Sequence, residues 1–158
     1  MNARLDMFAN PTALKAWKHV IAAGKVIEEG SSVPAATLEL VKIRASQING
    51  CGYCVDMHTK DATVAGETPI RLHLVAVWRE ATVFTDAERA ALELAEQGTR
   101  LADSAGGVTD EVWDNAAKHY DNDQLADLVS VIALINAFNR GNAIIRQPAG
   151  SYRPGQHG

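Results

Sequence analysis

The chain has 158 residues, 47% hydrophobic and 22% charged, a balance that excludes a disordered chain or a long coiled coil and predicts one globular domain burying roughly 70% of its unfolded surface. A formal net charge of −4, with no two Lys or Arg residues adjacent, removes the basic footprint that nucleic acid or an anionic membrane requires, so neither is expected as a partner. The opening Met1-Asn2-Ala3-Arg4-Leu5-Asp6 has no apolar signal core and no stretch approaches the roughly 20 apolar residues of a membrane span, so a cytoplasmic protein is expected.

Taken in chain order, the punctuation is that of helices. Asn10-Pro11 opens an amphipathic run through Leu14, Trp17, Val20, Ile21 and Val26 that stops at Gly30, with Pro at the first helical position and Gly after the last. Ser32-Val33-Pro34 opens a second run carrying Leu38, Val41, Ala45 and Ile48 and ended by Asn49-Gly50. A third begins at the cysteines and continues to about Ala65, before Gly66. Thr68-Pro69 starts the next. Leu72 to Trp78 has strand-like composition, but that start and the spacing of Ile70, Leu74, Val77 and Ala81 favour a helix.

Thr85-Asp86-Ala87-Glu88 reads as a capping box heading a helix with Ala91, Leu92 and Leu94, with Leu101 beyond it. Thr109-Asp110-Glu111 heads another, containing Val112 and Trp113, and Asp121-Asn122-Asp123 precedes the most apolar helix, with Leu125, Leu128, Val129, Ile132 and Ile135 on one stripe. The expected fold class is therefore all-α, a single-domain helical bundle over residues 1–147. Residues 148–158 have turn-former composition without periodicity and are expected to be disordered or to pack on a neighbouring subunit. Trp17, Trp78 and Trp113 are expected as packing residues, and His19, His73 and His119 as surface or hydrogen-bonded core histidines.

The only two cysteines and one of the five histidines share the stretch Cys51-Gly52-Tyr53-Cys54-Val55-Asp56-Met57-His58. On a helix, positions 51, 54 and 58 lie on one face. A second thiol three residues away can capture an oxidised first thiol as a disulfide, and an imidazole one turn on can take up or return the proton. In a reducing compartment such a pair is catalytic or metal-binding rather than a structural staple. A closed zinc site needs four ligands, and His19, His73 and His119 have no spacing that supplies the fourth, so redox chemistry without a metal or organic cofactor is favoured.

Chain reversal at Asn49-Gly50 adds a fourth member. Along one continuous helix Glu39 and Cys51 would stand roughly 18 Å apart. If the two helices form an antiparallel hairpin instead, Glu39 comes to the depth of His58, one turn beyond Cys54. Cys54, His58 and Glu39 then have the order of nucleophile, base and orienting group. Leu38 and Leu40 flank Glu39, so a buried carboxylate there is expected to sit in apolar surroundings that favour proton exchange near neutral pH.

Glu39-x11-Cys51-x2-Cys54-x3-His58 resembles the signature of the alkylhydroperoxidase D-like branch of the carboxymuconolactone decarboxylase superfamily. Trp78-Arg79-Glu80, Thr85-Asp86-Ala87-Glu88-Arg89 and Asn136-Ala137-Phe138-Asn139-Arg140 extend the likeness more weakly over the chain. The resemblance implies an all-helical homo-oligomer, a trimer or hexamer, acting as a peroxidase. Cys54 would attack a small organic hydroperoxide or hydrogen peroxide and become a sulfenic acid, Cys51 would condense with it to a disulfide, and His58 with Glu39 would relay the proton. The best-studied branch carries a second histidine between the cysteines, where this chain has Tyr53, a poor base at neutral pH.

The choice of attacking thiol has a separate argument. Cys51 lies nearer the helix start, where the dipole contributes about 0.3–1 kcal/mol. Cys54 has His58 at i+4, and a positioned general base contributes about 10²–10⁴-fold in rate, roughly 3–5 kcal/mol, so Cys54 is predicted as the attacker. Asn136 and Asn139 continue the apolar stripe of the last helix and, with Arg140, are read first as a hydrogen-bond network or subunit contact, second as pocket residues with Tyr53. The regenerating reductant must come from outside, and an external dithiol of lipoyl or thioredoxin type is the expected class. The competing readings are a dithiol-disulfide reductase acting on another substrate and an oligomeric scaffold with structural or zinc-binding cysteines. A decarboxylase has no use for a disulfide-forming pair.

Overall fold

A computed structural model describes residues 2–156. Among them are seven α-helices and no strand: α1 (Pro11–Gly30), α2 (Ala35–Ile48), α3 (Gly52–Val64), α4 (Pro69–Leu74), α5 (Asp86–Thr99), α6 (Asp110–Ala117) and α7 (Asn122–Ile145). The protein is all-α. Residues 157 and 158 of the expected tail lie outside the described residues.

Local chemistry accounts for the helix starts. The Asn10 side chain accepts from the Ala13 N–H ahead of Pro11, and Thr109 caps α6 through the Val112 N–H. The capping box Thr85/Glu88 is complete at α5, and Asp121 with Gln124 makes a second one at α7.

Helix α2 is the axis of the fold. Leu38 and Val41 pack with Leu94 of α5 and Leu128 of α7, while Leu40 and Ile43, on another side, pack with Leu72, Val75, Trp78 and Leu92. Ala45 packs with Ile135 and both cysteines. Buried residues lie on several sides of α2, Thr37, Lys42 and Ser46 among them, which the single stripe Leu38, Val41, Ala45, Ile48 understates. Thus α2 carries Glu39 through the middle of the molecule, beside α3.

Several expectations are corrected. The segment after Thr68-Pro69 is helical, but α4 ends at Leu74 and tightens into a 3₁₀ turn over Val75–Val77. Its buried residues are Leu72, Val75 and Trp78, while Ile70 and Val77 are exposed, because a 3₁₀ turn repeats every three residues. Arg89 closes this segment by donating to the Trp78, Arg79 and Ala81 carbonyls. Trp113 is exposed rather than packed: α6 has only eight residues and turns Val112 and Ala116 inward. Val129 is exposed too, and the inner stripe of α7 runs through Val131 instead.

By length and composition α7 is long and apolar enough to cross a membrane, contrary to the expectation that no segment was. In this fold it is a bundle helix, with Asn136 and Asn139 buried in hydrogen bonds to α2, α5 and the α2–α3 turn.

The C-terminal segment, expected to be disordered or laid on a neighbour, packs on α3 of its own chain. Asp56 Oδ2 accepts the Gly150 and Tyr152 N–H groups at 2.7 and 3.3 Å. Lys60 Nζ donates to the Gly150 and Tyr152 carbonyls, and the Tyr152 hydroxyl donates to Asp61 at 3.0 Å. Asp56, Lys60 and Asp61 supply on the outer side of α3 the partners that an aperiodic segment cannot find within itself.

Candidate active site

The site is built on the hairpin of α2 and α3. Gly50, at φ +66°, adopts the left-handed conformation the reversal requires. The turn is clamped to α7: Asn49 Nδ2 donates to Asn136 Oδ1 and Asn139 Oδ1, both at 2.9 Å. In turn Asn139 Nδ2 donates to Ser46 Oγ, and Asn136 Nδ2 to Thr99 Oγ1 and the Ile132 carbonyl. Asn136 and Asn139 are therefore engaged as a buried network, while Arg140 on the same helix is exposed.

Cys51 does not lie within a helix, as the i, i+3, i+7 reading had it. It is the N-cap of α3, with extended backbone, and its Sγ accepts the Cys54 N–H at 3.4 Å. Cys54 sits in the first turn. The two form a disulfide with Cα atoms 5.4 Å apart, and each cysteine is only 1% exposed. Ala45, Ile135 and Tyr53 pack around the pair. One polar side chain meets it from α7: Asn142 Nδ2 lies 3.4 Å from Cys54 Sγ.

His58 follows one turn after Cys54 and is buried. Its Nδ1 lies 3.0 Å from Glu39 Oε2, across the hairpin. The other oxygen, Glu39 Oε1, is 2.5 Å from Lys42 Nζ, and Lys42 also pairs with Glu28 of α1 at 2.6 Å. Burial opposes the charge on Glu39, but the hydrogen bond from His58 and the His58 and Lys42 charges outweigh it and bring its carboxyl down from 4.5 to about 2. This overturns the expectation of a carboxyl exchanging protons near neutral pH: the surroundings of Glu39 are ionic on the side that matters. An ionised Glu39 accepts from Nδ1–H and leaves the imidazole Nε2 as the basic nitrogen. Burial also works against the Lys42 ammonium, and the Glu39 and Glu28 carboxylates more than compensate, raising it.

Tyr53 packs edge-on to Tyr152 with ring centroids 6.4 Å apart. Burial, then the Asp56 and Asp61 charges, push its phenol up, so it stays neutral. Among the described residues no cluster of three or more His, Cys, Asp or Glu is placed to hold a metal ion.

Sequence reasoning missed Lys42, Glu28, Asn49 and Asn142. Lys42 stands three residues after Glu39 and Asn142 three after Asn139, spacings that put each pair on one helix face. Glu28 left no such signal, because it reaches the site only through the packing of α1.

A helical hairpin bearing a buried disulfide at a helix start, backed by a histidine–carboxylate pair, defines the class. The model of the carboxymuconolactone decarboxylase family matches residues 11–97, more than half of the chain and the whole hairpin. The chain belongs to the carboxymuconolactone decarboxylase family, in its AhpD-like branch. It is 44% identical to the uncharacterized protein YdfG of Bacillus subtilis (strain 168) over 110 residues, 70% of this chain and 74% of that one. A crystal structure of a protein of unknown function from Agrobacterium tumefaciens, for which an AhpD antioxidant defence role has been suggested, aligns with a TM-score of 0.87 at 30% identity, covering 96% of this chain and all of that one. The debrominase Bmp8 has the same fold, with a TM-score of 0.78 at 22% identity over 92% of this chain and 75% of that one.

Proposed function

We propose that the protein is a thiol-dependent peroxidase that reduces hydrogen peroxide or small organic hydroperoxides with two electrons from the Cys51/Cys54 dithiol. The observation that carries this reading is the placement of Cys54 one turn from His58, whose ring is anchored through Nδ1 by an ionised Glu39.

In the reduced protein His58 Nε2 takes the Cys54 proton. The Cys54 thiolate attacks the outer peroxide oxygen, the O–O bond breaks, and the departing alkoxide takes a proton from the imidazolium to leave as the alcohol. Cys54 is now a sulfenic acid. Cys51 Sγ bonds to it, hydroxide leaves, and the Cys51 proton completes a molecule of water. One hydroperoxide and two thiols thus give one alcohol, one water and the disulfide. An external dithiol of lipoyl or thioredoxin type returns the two electrons. The buried, bonded Cys51–Cys54 pair supports the resolving role of Cys51, and the His58–Glu39 arrangement supports Cys54 as the attacker. We place the reaction in the cytoplasm and in a homo-oligomer, a trimer or hexamer, with no nucleic acid or membrane partner.

Counting free thiols before and after a stoichiometric hydroperoxide tests the reading: two are lost per chain if it is right, and none if the cysteines are structural or hold zinc. Sulfenic-acid trapping in Cys51→Ser and Cys54→Ser variants assigns the attacker, a trapped species only in the Cys54→Ser variant reversing it. Intact thiols with hydroperoxide, but their loss to a disulfide substrate, would select a dithiol reductase.

A further inference from the structure

Asn136, Asn139 and Asn142 recur every three residues along α7, which lines their amides up near one face of the helix. The first two hold the hairpin turn, each accepting from Asn49 at 2.9 Å. The third reaches the chemistry, with Nδ2 3.4 Å from Cys54 Sγ. An amide nitrogen only donates, so this contact offers an N–H to sulfur. The partner sulfur, Cys51 Sγ, draws its N–H from the backbone of Cys54 instead. Because the neighbouring rungs fix α7 against the hairpin, the position of Asn142 over Cys54 follows from the fold and not from its own rotamer alone.

A disulfide sulfur is a weak acceptor. A thiolate is an anion, and hydrogen bonds to charged groups are roughly twice as strong as neutral ones. The geometry points to Asn142 as a catalytic residue, an N–H donor that stabilises Cys54 as thiolate and so selects it over Cys51 as nucleophile and leaving group. The nucleophile half rests on the peroxidase reading. The leaving-group half concerns regeneration: a thiolate of the external dithiol bonds to Cys51 Sγ, the Cys51–Cys54 bond breaks, and its electron pair departs on Cys54. The second thiol of the reductant, once deprotonated, then displaces Cys51. The reductant leaves as its disulfide, and its two protons end on Cys51 and Cys54.

The titratable groups about Cys54 are Cys51 beside it, Tyr53 and His58 along α3, and, behind His58, the Glu39–Lys42 pair of α2. From α7 the group at the sulfur is the neutral amide. A Cys51→Ser background leaves Cys54 the only thiol of the chain. In the reduced protein, the pH dependence of iodoacetamide alkylation and of thiolate absorbance near 240 nm gives its midpoint. Asn142→Ala is expected to raise that midpoint by about one pH unit, a roughly tenfold slower alkylation below it. Asn142→Asp keeps the shape, guards against a packing failure in the alanine variant, and sets a carboxylate against the thiolate, so it is expected to raise the midpoint further. Rises below about half a pH unit in both variants, with helical circular dichroism intact, overturn the assignment. The titration involves no peroxide. An unshifted midpoint in a protein that consumes hydroperoxide therefore rejects Asn142 alone, and a shifted midpoint in one that does not rejects the peroxidase reading alone.

Discussion

Replacing Glu39 by Gln isolates what the ionised carboxylate does. Two donors face it, Lys42 Nζ at 2.5 Å and His58 Nδ1 at 3.0 Å, one on each oxygen. Glutamine keeps the volume but offers a single acceptor oxygen. The Lys42 ammonium is the stronger claimant, so the amide N–H turns to His58, whose Nδ1 must then accept and whose proton moves to Nε2. That tautomer cannot take a proton from Cys54. Loss of a positioned base lowers the rate of hydroperoxide-dependent thiol oxidation by about 10²–10⁴-fold, measured by stopped flow on the reduced protein. Stability falls as well: with the carboxyl brought from 4.5 to about 2, about 1.4 kcal/mol per pH unit makes the ionised form worth about 3 kcal/mol to the fold. The folded value lies below the unfolded one, so this contribution is fully present above pH 4.5 and is lost as pH falls from 4.5 through about 2. Urea unfolding across that window should be steeply pH-dependent in the wild type and flatter in Glu39→Gln. A variant that oxidises within twofold of wild type, while His58→Gln loses at least 10²-fold, would refute the orienting role of Glu39.

Two further outcomes follow from the clamps on α3. Asn49→Ala leaves the buried Asn136 and Asn139 carbonyl oxygens without their donor. At about 1–3 kcal/mol for each unsatisfied buried acceptor, urea unfolding should show at least about 2 kcal/mol lost. Asp56→Ala removes the acceptor of the Gly150 and Tyr152 N–H groups, so limited chymotrypsin digestion should cut after Tyr152 several-fold faster with helical circular dichroism unchanged. An unaltered cutting rate would mean that Tyr152 and Lys60 hold the segment by themselves.

The helix starts and the hairpin were legible because each rests on neighbours in sequence: Asn10-Pro11, the Thr85/Glu88 box, the Asp121-Asn122-Asp123 start, and a Gly50 that takes positive φ. The pairing of Glu39 with His58 was legible for the same reason, since counting back from one tight turn sets the depth of every residue on the two arms. What failed depended on partners far along the chain. The 3₁₀ turn at Val75–Val77 is read from which residues the core accepts, Leu72, Val75 and Trp78, and helical periodicity alone proposes a different set. The C-terminal segment has no periodicity to read, because its order comes from Asp56, Lys60 and Asp61, nearly a hundred residues earlier. The state of Glu39 failed most instructively. Its sequence neighbours Leu38 and Leu40 are apolar and buried, yet on a helix adjacent residues point in different directions, and the residue that shares its face is Lys42.

That geometry changes what the carboxylate can contribute. A carboxyl held at about 2 is a fixed negative charge near neutral pH and passes no proton, so in the proposed reaction the proton taken from Cys54 would stop at His58 and return from there to the departing alkoxide. The two sulfurs are then distinguished by their donors. Cys51, as N-cap, has the Cys54 N–H and the start of α3, worth about 0.3–1 kcal/mol to a thiolate. Cys54 has a side-chain amide at 3.4 Å and, one turn away, the His58 imidazole held by an ion-paired carboxylate. In the proposed peroxidase this division gives the order of events: Cys54, one turn from His58, reacts first, and Cys51 at the helix start closes the bond.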